Sequence, residues 1–239
     1  MKPWSLPRVG LAVTAVALVA GAGWAVLGSA ATLSVTPKNH SAFRTCVLSA
    51  YPKTTAVEFD SWVDQNNATA NKASSTSIQV QSRATSKNFR GFIRFDLGKC
   101  APTIAGSATV RTALLRLNLS GPPTSGTRTY NINRVTGPCP ENAATCWSEG
   151  GLTWSNQPTV AAGATSTLTL SSSSTSSVYY PFDVTTDVAA MVAGTASNYG
   201  WRIADSAEDN AGGTILVSFI SRELNSAARA PELVIVYSP

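Results

Sequence analysis

The chain has 239 residues, 13% of them charged and 44% hydrophobic, with a formal net charge of +5. It contains no dense Lys/Arg run and no basic helix, which excludes nucleic acid as a natural partner. The length suffices for one large domain with a real core.

The N-terminus carries Lys2 and Arg8 ahead of an apolar, small-residue run from Leu11 to Leu27, and Gly28-Ser29-Ala30-Ala31 follows. This pattern reads as an export signal cut after Ala31. The alternative is an uncleaved anchor, because the run from Gly10 to Ala31 is nearly long enough for a bilayer of about 30 Å at ~1.5 Å per residue. Contact with a membrane is expected only through this segment. Cleavage would leave 208 of the 239 residues and, without Lys2 and Arg8, lower the net charge from +5 to +3. The expected organisation is a signal or anchor over 1–31, a lead-in and first strand over 32–54, and one β-domain over 55–239, most simply a monomer.

Four cysteines, Cys46, Cys100, Cys139 and Cys146, lie beyond the leader. An even number in an exported chain points to two disulfides. Of the three connectivities, Cys46 with Cys100 and Cys139 with Cys146 is preferred. The first ties an early strand to the end of a central one, and the second clips a Pro/Gly-containing loop. Neither pair has zinc-knuckle spacing, and no histidine stands near.

Alternation of apolar and polar residues recurs in short runs, with no long helical period. Phe89, Gly91, Ile93, Phe95 and Leu97 alternate with Arg90, Phe92, Arg94 and Asp96. Ala113, Leu115, Leu117 and Leu119 alternate with Leu114, Arg116 and Asn118. Breaks at Gly98-Lys99, Gly121-Pro122-Pro123, Gly137-Pro138 and Gly212-Gly213 punctuate the strands. The reading is an all-β, jelly-roll-like antiparallel sandwich, with one short helix at Thr186 to Ala193 behind a Thr/Thr cap. The serine tract Ser171 to Ser177 sits between two β-prone runs and is read as a hairpin loop.

Several blocks occur in a fixed order: Asp60-Ser61-Trp62-Val63-Asp64, Asn88-Phe89-Arg90-Gly91-Phe92-Ile93-Arg94-Phe95-Asp96-Leu97, Ala113-Leu114-Leu115-Arg116-Leu117, Thr153-Trp154-Ser155-Asn156-Gln157-Pro158, Phe182-Asp183-Val184-Thr185, Asn198-Tyr199-Gly200-Trp201-Arg202-Ile203, Phe219-Ile220-Ser221-Arg222-Glu223 and Pro231-Glu232-Leu233-Val234. Together they resemble the DNRLRE domain, a secreted β-sandwich related to carbohydrate-binding modules. The resemblance covers residues 55 to 237 and implies an anionic, uronate-rich polysaccharide as one specific ligand class. Phe89, Gly91 and the Cys139–Cys146 loop depart from the family pattern.

The residues themselves offer little catalytic chemistry. The only histidine, His40, falls in the lead-in, so a Ser-His-Asp triad, a Cys-His pair or a histidine metal cluster inside the domain is excluded. Asp205, Glu208 and Asp209, with Glu149 elsewhere, are what a carboxylate hydrolase would have. The same three fit a solvated turn better, and a calcium loop is the next reading, without EF-hand spacing. No cofactor is implied.

Among aromatics, Trp154 and Trp201 read as core, whereas Trp147 and Phe92 read as exposed rings able to stack on a sugar. Arg90, Arg94, Arg116 and Arg202 fall on the polar register of predicted strands, and Arg222 ends another. On neighbouring strands they would make a guanidinium face suited to carboxylates. The functional expectation is a secreted or cell-surface, non-catalytic binder of polysaccharide or envelope glycan through Arg90, Phe92, Arg94, Arg116, Arg202 and Arg222. A structural or adhesive envelope module without a small ligand is the alternative, and a polysaccharide hydrolase or lyase is the third reading.

Overall fold

Period-two patterning places its apolar halves inward in a computed structural model, which describes residues 43–55, 57–139, 145–209 and 213–239. The leader and His40 lie outside the described residues. The strands in chain order are β1 (Arg44–Ser49), β2 (Glu58–Asp64), β3 (Ser77–Ser82), β4 (Phe89–Phe95), β5 (Thr109–Gly121), β6 (Thr127–Arg134), β7 (Ser166–Ser171), β8 (Tyr179–Asp183), β9 (Trp201–Asp205), β10 (Ile215–Ile220) and β11 (Glu232–Ser238). One helix, α1 (Thr185–Val192), follows β8. It begins one residue earlier than the sequence suggests.

Among the described residues every strand pairing is antiparallel, in the order β1-β11-β5-β10-β3-β4-β9-β6-β7, with β2 beside β4 and β8 beside β5. The sheet curls into a half-barrel, in keeping with the expected all-β sandwich. The 13-residue strand β5 joins the layers. Its body pairs with β11 and β8, and its last residues pair with β10. Ala113, Leu115, Leu117 and Leu119 of β5 are fully buried against Ile78, Val80, Ile93, Phe95, Val217 and Leu233. Fully burying one such aliphatic side chain contributes roughly 1.5–3 kcal/mol. Both disulfides pair as expected, Cys46 with Cys100 and Cys139 with Cys146.

Two glycines hold the second layer together. Gly91 of β4 faces the core, where a Cβ would lie 2.5 Å from Ile78 Cγ2. Gly200, immediately before β9, has φ +76° and sits so tightly on β4 that a Cβ would reach the Ile93 carbonyl. Only glycine meets both conditions there.

Two expectations need correction. The serine tract does not close a hairpin: β7 pairs with β6 and β8 with β5, so the tract arches from one layer to the other. Phe92 and Trp147, expected to be exposed, are both fully buried. The long connection from β6 to β7 folds back over the outer face of β4 and creates a second small core. It contains Val63, Phe92, Val135, Cys146, Trp147 and Leu152. The Phe92 and Trp147 rings meet edge to face at 5.9 Å, and the Trp147 indole N–H donates to the Tyr199 carbonyl at 2.8 Å. A strand whose two faces are both covered has no solvent side, which is why alternation alone misplaced Phe92.

Candidate functional site

The outer face of β2 and β4, where the cap ends, forms one wall of an open cleft of about 510 Å³. Strand pairing puts Phe59 directly opposite Arg94. The Arg94 guanidinium stacks over the Phe59 ring at 4.5 Å and stands 6.0 Å from the Trp147 ring. Asp96 closes the end of β4, Ser197, Asn198 and Tyr199 come from the segment between α1 and β9, and Thr145 comes from the disulfide-clipped cap. The Asn198 amide donates to the Phe95 carbonyl at 2.7 Å, which fixes it at the cleft. Its Oδ1 is buried without a partner, as is Arg94 Nε. Burial lowers the Arg94 pKa, and the nearby carboxylates of Asp96 and Glu149 oppose that shift.

The arginines predicted as one row separate into three environments. Arg90, Arg94 and Arg202 share the outer face of β4 and β9, with Arg202 opposite Phe92. Arg90 is held on each of its three nitrogens: Glu208 receives it in a bidentate pair at 2.7 and 2.6 Å, Gln157 takes a third bond at 3.0 Å, and Trp154 lies beneath at 4.3 Å. Arg202 is half-buried and its Nε has no acceptor. Its pKa is pushed down to about 10 by burial and by the Arg90 charge. Arg116 belongs to the other layer, where it bonds Glu232 at 2.7 Å and covers the Tyr179 ring at 4.5 Å. Arg222 follows β10 and pairs with Glu149 at 3.0 Å and Glu223 at 3.1 Å. The expected single guanidinium face is therefore divided, because β5 pairs with β11 and β8 over the length that carries Arg116.

The acidic residues weighed as metal ligands point at protein groups. Asp205 takes Arg128 at 2.8 and 2.6 Å, Glu208 takes Arg90, and Asp209 Oδ1 accepts from Ser86 N–H and Asn88 Nδ2, each at 3.0 Å. Among the described residues no group of three or more His, Cys, Asp or Glu is arranged to hold a metal ion. Trp154 is half-buried, and Trp201, fully buried, donates to Asp187 at 2.8 Å. Trp201 is core as its block suggested, whereas Trp154 stops short of the expected core position and packs only partly buried against the second small core.

A different set of carboxylates was not foreseen. Glu58 and Asp60 sit two residues apart on the same face of β2, 1% and 2% exposed. Arg222 N–H donates to Asp60 Oδ2 at 2.9 Å, whereas neither Glu58 oxygen has a donor. Burial first, and the neighbouring Asp60 second, raise Glu58 well above the carboxylate range. Burial likewise lifts Asp60 to about 8. Burial without a donor, beside a second carboxyl, favours the protonated form of Glu58, so the pair is a buried acid on the face of β2 opposite the cleft. Phe59, between them in sequence, points to the opposite face.

The sequence model of carbohydrate-binding module family 96 matches residues 51–237. The chain belongs to carbohydrate-binding module family 96. The matched span contains every residue lining the cleft, strands β2 to β10 and the described part of the cap over β4, whereas β1 precedes it and β11 ends one residue beyond it. No curated protein matches this family 96 module. Membership makes glycan binding the module's expected role and accounts for a cleft that mixes rings with planar polar groups. Sequence reasoning found Arg94 but missed Phe59, Thr145, Ser197, Asn198 and Tyr199. The Asn198-Tyr199-Gly200 block carried the available signal: a polar amide and a ring held beside a glycine that forces close approach.

Proposed function

We propose that this family 96 module is an exported, non-catalytic binder of acidic polysaccharide, and that a uronate unit enters the cleft with its carboxylate on Arg94. The observation that carries the reading is the state of Arg94. Its guanidinium is held flat by the Phe59 ring, its Nε is buried without an acceptor, and it opens into the cleft. A charged donor left unpaired costs free energy that a bidentate anion removes. Tyr199 offers a ring edge or face to the sugar, and Ser197, Asn198 and Asp96 offer acceptors and donors for hydroxyls. The DNRLRE-like blocks supply the preference for uronate. The two disulfides fit an oxidising, extracytoplasmic location.

A structural envelope module is the second reading. It draws on Arg90, Arg116 and Arg222, whose guanidinium groups are already satisfied within the fold. Affinity electrophoresis of residues 32–239 through alginate, pectate and neutral glucans separates the two. Retardation by the uronate polymers that weakens with salt supports the cleft reading. Retardation by neutral glucans alone moves the site to the rings, and no retardation favours the envelope role.

A further inference from the structure

We propose that Arg202 is a second anion subsite, so that the module grips an acidic glycan at two points, Arg94 in the cleft and Arg202 across the buried Phe92–Trp147 plug. This rests on the glycan-binding reading above and specifies its ligand. The preferred ligand carries at least two anionic substituents, carboxylate or sulfate, on one chain.

Register places Arg202 directly opposite Phe92, and therefore diagonal to both Arg90 and Arg94 on one sheet face. Such diagonal neighbours stand roughly 7 Å apart at Cβ. Glu208 satisfies Arg90 with both of its oxygens. The face thus carries three guanidiniums, Arg90, Arg94 and Arg202, and the carboxylate beside Arg202, Glu208, is already bonded to Arg90; among the described residues no carboxylate forms an ion pair with Arg202. Burial and the adjacent Arg90 charge both disfavour the charged form of Arg202, and Glu208 opposes them only in part. An arriving anion offsets both, because its charge is opposite to that of both guanidiniums and it brings acceptors to a side chain whose Nε has none. Arg94 leans toward β2 over Phe59, and the plug stands beside it with Trp147 fully buried. A chain that crosses the plug reaches both Arg94 and Arg202, and joining the two contacts raises affinity by about 10²-fold or more without any new kind of contact.

The test is a titration of the folded module with uronate oligomers from one to six units, and with a sulfated oligosaccharide of matching length. The proteins are the natural sequence, R94Q, R202Q, R202K and R116Q. Affinity for acidic oligomers is expected to exceed that for the single acid by about 10²-fold. In R202Q that gain collapses while single-acid binding persists, and R94Q loses both. R202K retains charge without the bidentate fork and recovers the gain only in part. R116Q, on the other layer, behaves as the natural sequence. A gain seen only with the sulfated ligand assigns sulfate to Arg202 and still supports two-point capture. An undiminished gain in folded R202Q overturns the proposal while leaving the cleft reading intact. If R202Q does not fold, an undiminished gain in R202K overturns it equally. Failure of every acidic ligand to bind the natural sequence removes the uronate reading itself.

Discussion

The buried pair Glu58–Asp60 predicts an unusual dependence of stability on pH. The Asp60 carboxyl is pushed up from its ordinary value of 3.8 to about 8 in the fold, with burial as the largest cause. A raised folded value means that the native state binds more protons than the unfolded chain between those two limits. Stability from this group is complete below about pH 4 and is lost as pH rises towards 8, the reverse of an ion-paired aspartate. Four pH units at ~1.4 kcal/mol each give an upper value on the order of 5 kcal/mol, reduced where water enters beside the edge strand β2. Asp60→Asn removes the titration and keeps an oxygen for the Arg222 N–H. It is expected to change little at pH 5 and to stabilise by a few kcal/mol at pH 9. Urea denaturation of both proteins at pH 5, 7 and 9, compared at midpoint, reads this directly. If the natural sequence grows more stable from pH 5 to 9, or the variant tracks it in parallel, the carboxyl pair is not the buried acid described here.

Other consequences are structural. Phe92→Ala should destabilise by about 3–5 kcal/mol, because it empties the core beneath the cap and does not trim a surface platform; thermal unfolding distinguishes the two. Gly200→Ala should prevent native folding or cost several kcal/mol, since a Cβ would meet both the Ile93 carbonyl and Arg94, and expression yield with circular dichroism reports it. Replacing Cys139 and Cys146 by serine should cost about 2.5 kcal/mol from loop entropy and loosen the Thr145 wall of the cleft, so glycan affinity should fall in a variant that still unfolds cooperatively.

The strands were legible where one face is core and the other is wet. The alternation in β5 located Leu115, Leu117 and Leu119, and the glycine and proline breaks located most turns. Reasoning from alternation failed where a second layer covers the outer face. Nothing local in Arg90-Gly91-Phe92-Ile93-Arg94 states that the β6–β7 connection, closed by Cys139–Cys146, will fold back onto Phe92. The partition of the arginines was hidden for a related reason. Arg90 and Arg116 look alike in sequence, and only the pairing of β5 with β11 and β8 sends Arg116 to the other layer. Glu58 escaped notice because an acidic residue in a short strand ordinarily faces water, and its burial depends on Arg222 arriving from the turn after β10. Phe59 and Tyr199 are far apart in the chain, so their shared cleft is a property of topology alone.

Entry of an acidic glycan beside Arg94 is read out by backbone and side-chain chemical-shift mapping of the labelled module during titration with a uronate oligomer. Shifts are expected to concentrate at Phe59, Arg94, Asp96, Ser197, Asn198 and Tyr199, to vanish in R94Q and to diminish with salt. Shifts centred on the opposite layer around Arg116 and Tyr179, or unchanged in R94Q, would contradict it.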